Sequence, residues 1–96
     1  MDLITNQIKL VEGTYSPINS ADVLLSLIAD KIKFHSLQIL NIQDKSDPRV
    51  IHAELRIVEL KESRKLVTEL IVKAQHEGYD MKIDGTIHIE MIKQPR

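Results

Sequence analysis

Two apolar ladders run through the middle of the chain and match each other in length. The first is Ala21, Leu25, Ile28, Ile32, His35, Ile39 and Ile42, and the second is Ala53, Ile57, Leu60, Arg64, Val67, Ile71 and Ala74. Each steps by four and three residues, the spacing that keeps side chains on one seam of a helix, as in a coiled coil. Each is apolar except at one rung, His35 in the first and Arg64 in the second. Between them lies Asp44-Lys45-Ser46-Asp47-Pro48, a polar turn. A chain that folds back there sets Ile42 against Val50, Ile39 against Ala53 and Ala21 against Ile71. The pattern predicts a long antiparallel helical hairpin.

The punctuation agrees with the ladders. Ser16-Pro17 and Asp47-Pro48 each pair a capping side chain with a proline at the first helical position, where its missing N–H costs nothing. Neither Gly nor Pro interrupts residues 18–43 or 49–77, and Gly78 supplies a helix stop. Helices are expected over residues 17–43 and 48–77. Before them, Gln7-Ile8-Lys9-Leu10-Val11 alternates as a strand does, with Ile8 and Leu10 on one face and Gly13 at its end, giving a strand over 4–12. After them, Met81, Ile83, Ile87, Ile89 and Met91 share one parity, giving a strand over 81–92, continuous through Asp84-Gly85. The fold class is α+β: one domain, 1–96, in β-α-α-β order, a helical hairpin flanked by terminal strands. The rival parse is a ferredoxin-like βαββαβ order, because Ile51, Ala53, Leu55 and Ile57 also alternate with polar residues. It requires strand–helix changes at Val58–Glu62 and Phe34–Leu37, and neither stretch holds a turn residue.

Composition narrows the chemistry. Aromatics are 3% of the 96 residues, so the core is aliphatic and platforms for stacking nucleobases are scarce. Thirteen basic and fourteen acidic residues give a net charge of −1, which implies no polyanionic partner such as a nucleic acid. The chain has no cysteine and therefore no disulfide or thiolate chemistry. Met1–Thr5 has neither the basic start nor the apolar run of a secretory signal, and no apolar stretch approaches the roughly 20 residues of a membrane span. A cytoplasmic location without membrane contact is the expectation.

Several stretches carry a family resemblance: Glu12-Gly13-Thr14-Tyr15-Ser16-Pro17 before the first helix, Lys31-Ile32-Lys33-Phe34-His35 within it, and Ala53, Arg56, Ile57, Leu60 and Ala74 on the second. With the isoleucine-rich closing strand, these patterns resemble a family of short bacterial proteins of β-α-α-β order to which no activity is assigned. The resemblance implies a helical reading of residues 50–60 and brings no catalytic or binding residue with it.

Three polar residues are candidates for a site. His35 sits on the seam opposite Ile57, either as a pH-sensitive or ligand-contacting group or as a hydrogen-bonded seam residue that fixes register. Arg64 lies opposite Ile28, to pair with a carboxylate, hold a ligand anion or extend its head outward. Arg56, with these two, completes the set for a small-ligand site at a subunit junction near His35. The four histidines match no metal-ligand spacing, and Lys61, Arg64 and Lys65 are interleaved with Glu59, Glu62 and Glu69 as on a solvated face. No cofactor, metal or catalytic residue is therefore expected.

The remaining signal is surplus apolar surface. Leu24, Leu27, Phe34, Leu37 and Leu40 lie off the first seam, and Leu55, Val58, Leu66, Leu70 and Val72 off the second. A two-helix hairpin with two strands cannot cover them all, whereas a second copy could. The expected function is that of a small, non-catalytic, homo-oligomeric interaction or scaffold protein, with itself as first partner and another protein as a further one. The alternatives are a nucleic-acid-associated regulator, which needs a clustered basic face, and the ligand binder near His35.

Overall fold

A computed structural model describes residues 4–95. The order is β1 (Ile4–Tyr15), α1 (Pro17–Asn41), α2 (Pro48–Glu77) and β2 (Met81–Met91). The chain is thus α+β with a helical hairpin and a two-stranded antiparallel sheet. Val50–Ile57 lies inside α2, so the ferredoxin-like alternative does not apply; without a breaker the helix propagates.

The helix ends follow their local chemistry. Ser16 caps α1, its Oγ accepting from the Asn19 N–H at 3.2 Å. Asp47 caps α2, its Oδ1 accepting from the Arg49 N–H at 2.8 Å. Gly78 ends α2 in the left-handed region at φ 76°, and the Gly78 and Tyr79 amides both donate to the Ala74 carbonyl. Helix α1 stops at Asn41, two residues short of the expected end. Ile42 is already extended, and the Lys45 ammonium donates to the Ile39 and Ile42 carbonyls at 2.6 and 2.7 Å. Asp44 accepts from the Ser46 amide and hydroxyl, a local turn that competes with helix.

The Arg49 guanidinium grips the Asp47 carboxylate, with Nη2–Oδ2 at 2.8 Å and Nε–Oδ1 at 3.1 Å. These hydrogen bonds, with that of the Arg49 amide, hold the Asp47 pKa down at about 2, against an ordinary 3.8. A depressed carboxyl pKa contributes stability that is whole above the ordinary value and is lost as pH falls through the folded one. Asp47→Asn should therefore flatten the stability profile between pH about 4 and about 2, read by denaturant titration at each pH. A mutant profile as steep as wild type would place the acid sensitivity elsewhere.

Strand β1 differs from expectation at two points. It runs through Gly13 to Tyr15, because Gly13 takes φ 153°, open to glycine alone, and still pairs with Ile83. The Tyr15 ring lies over it, 3.5 Å from where a Cβ would stand. The register also slips between Lys9 and Val11, leaving Leu10 without a partner. This bulge moves the apolar parity from Ile8 to Val11, Gly13 and Tyr15, so Ile8 and Leu10 do not continue one face. Strand β2 keeps a single parity through Gly85, as its pattern predicted.

The elements make a slab of 55 × 37 × 14 Å between Cα atoms. Helix α2, at 30 residues, is about 45 Å long, and the 11-residue β2 about 36 Å. End to end they would exceed the longest dimension, and stacked they would exceed the thinnest. The ribbon therefore lies across the open end of the hairpin, where α1 touches both strands. Among the described residues the buried apolar core is Val50, Ala53, Ile71 and Ala74. It is split between the turn end and the ribbon end of the hairpin, and the seam between, from Leu25 to Ile32 and from Ile57 to Val67, is half-buried except for Arg64, which is exposed.

Candidate interaction surface

The three polar candidates stand in different surroundings within the chain. His35 is buried on the α1 seam at 8% exposure. Its Nδ1–H donates to Gln38 Oε1 at 3.3 Å, and Phe34 meets the ring edge-on at 5.2 Å. Its Nε2 is enclosed without a partner. Arg56 stands on the surface of α2 and pairs with Glu59 one turn on, at 3.3 Å. Arg64 is exposed, and among the described residues no carboxylate lies within 4 Å of it. Of the roles open to Arg64, the geometry matches the outward-reaching one: its long stem carries the charge off the seam. Eight residues separate the two arginines, about 12 Å along the axis. Among the described residues, no three His, Asp or Glu side chains group as a metal site would require, and no helix is long and apolar enough to cross a membrane.

The larger uncovered feature of both helices is apolar. On α1, Phe34, Leu37 and Leu40 are 57%, 48% and 74% exposed, and Leu27 is exposed beside them. On α2, Ile51, Leu55, Val58, Leu66, Leu70 and Val72 are all exposed. Phe34, Leu37 and Ile42, with the stems of Gln38 and Arg49, line an open groove of about 430 Å³ beside the hairpin turn. The Lys31 ammonium lies 4.9 Å from the Phe34 ring centre, a cation–π contact at the edge of this patch.

The ribbon carries a second uncovered area that counting off-seam helix residues misses. Its apolar face is half-buried at Val11, Tyr15, Met81 and Ile83 and exposed at Ile4, Ile8, Ile87, Ile89 and Met91. The change falls at the strand's midpoint and has a geometric cause. Two helices packed 8–10 Å apart cover about 20 Å, little more than half of a ribbon about 36 Å long. Strand length and hairpin width give that answer only once the ribbon is known to lie across the hairpin. Ser20 was not foreseen either: it is fully buried off the seam, its Oγ without a partner, where β1 turns into α1.

No protein-family description, curated protein or solved structure matches the chain.

Proposed function

We propose that this chain is a small self-associating interaction module, a non-catalytic scaffold whose working form is a homodimer. One quantity carries the reading. The accessible surface is 7856 Å² for an 11.0 kDa chain, whereas a compact monomer of that mass exposes about 5,600 Å². The radius of gyration, 17.2 Å, agrees with this excess, since a compact domain of this length has about 13 Å. The surplus, about 2,200 Å² per chain, is what a subunit of an obligate dimer hides. It is also of the right kind, because the uncovered residues are in the main Leu, Ile, Val and Phe on regular elements, with Tyr79 and Ile92 just beyond them. A closed two-fold pair is the simplest way for one surface to cover itself.

Sedimentation equilibrium at micromolar concentration tests the reading. The expected species has a mass of about 22 kDa, twice the 11.0 kDa chain. An 11.0 kDa species across the accessible range would overturn it.

A further inference from the structure

Among the described residues the sheet has two strands, so β2 is paired with β1 on one side and open on the other. The two edges of the ribbon are not equivalent. Strand β1 is broken by the bulge at Leu10, a feature that turns an edge away from further pairing, whereas no break in register falls within β2. We infer that β2 pairs antiparallel with the β2 of a second copy about a two-fold axis at Thr86. This would build a four-stranded sheet in the order β1-β2-β2-β1. The inference rests on the self-association proposed above and names its geometry.

The polar parity of β2 reads Lys82, Asp84, Thr86, His88, Glu90. Folded about Thr86, it sets Lys82 opposite the partner's Glu90 and Asp84 opposite the partner's His88, with the two threonines facing each other at the axis. Lys82 with Glu90 pairs opposite charges, Asp84 with His88 sets a carboxylate against an imidazole N–H, and each pair occurs twice. Moving the axis to Ile87 sets Asp84 against the partner's Glu90, and moving it to Asp84 sets two aspartates face to face. An axis at Gly85 leaves Glu90 beyond the strand. Only the Thr86 axis gives each charged side chain an opposite charge or a hydrogen-bond partner.

The apolar face gains from the same register. Met81 and Ile83, half-buried at the hairpin's foot, come beside the partner's Met91 and Ile89, which are exposed. Each hairpin then stands next to the uncovered half of the other ribbon. Two hairpins, about 40 Å of helix side by side, match a floor about 36 Å long. Gly85 lies opposite the partner's Ile87, so a missing side chain faces a large one.

The chain has no cysteine, so a single introduced thiol reports this geometry without background. Across an antiparallel pair, facing Cα atoms lie about 4.5–5.5 Å apart, within disulfide range. Thr86→Cys should give a disulfide-linked dimer on mild oxidation, while Thr68→Cys, on α2, should not. Lys82→Glu alone and Glu90→Lys alone should each weaken association about tenfold, with the double variant restoring it, because the reversal recreates the same pair. A species of dimer mass that fails to cross-link through the residue-86 thiol, and whose charge reversals do not rescue each other, overturns the β2 pairing and leaves self-association standing. A wild-type monomer overturns both.

Discussion

Ala53→Asp is expected to abolish the folded hairpin. Ala53 has no exposed surface and sits on the α2 seam near the turn. The seam beside Ala53 is lined by aliphatic rungs and His35. The substitution buries an unpaired charge and forces a larger side chain where two backbones run close, at a cost of several kcal/mol. A small domain has about 5–15 kcal/mol in total, and a core built on Val50, Ala53, Ile71 and Ala74 places this one low in that range. Far-ultraviolet circular dichroism should show the helical signal lost at 25 °C. Glu62→Asp, on the exposed side of the same helix, should leave it unchanged. An Ala53→Asp protein that melts within a few degrees of wild type would mean that the helices do not meet along this seam.

That the seam could be found at all reflects where the information sits. Both helices begin with a capping residue followed by proline, and α2 ends on glycine, so three of the four helix ends were legible from one or two residues. The fourth was not. Ile42 continues the apolar ladder, and its departure from helix depends on Lys45 and Asp44 making turn contacts that no periodicity records. Strand β1 misled for a related reason. Gly13 reads as a terminator, yet at φ 153° it carries the strand through, still paired with Ile83. The bulge at Leu10 is set by pairing with β2, a partner some seventy-five residues away.

The candidate site divides along the same line. His35 was placed on the seam by its ladder and is buried there. Arg64 occupies an equivalent rung and is exposed, because a long side chain at mid-hairpin can reach past a seam only one residue wide. The uncovered helix residues could be counted from the sequence. The exposed half of the ribbon could not, since it depends on the ribbon lying across the hairpin rather than along it.

Thermal stability should depend on protein concentration, and this ties the thin core to the surplus surface. If the partner covers what one chain leaves open, unfolding and dissociation are one event, and dilution favours the unfolded chains. Tenfold dilution removes about 1.4 kcal/mol per dimer. Two chains of 96 residues unfold with an entropy of about 0.4 kcal/mol/K. The midpoint should therefore fall by about 3.5 °C for each tenfold dilution, or about 7 °C from 100 to 1 μM. Ile89→Asp, which places a charge in the middle of the uncovered ribbon face, should lower the midpoint at every concentration and shift the protein toward monomer at micromolar levels. A wild-type midpoint constant over that hundredfold range would mean that the thin core and a half-covered seam hold the fold unaided. The exposed leucines and isoleucines would then need a different partner to explain them.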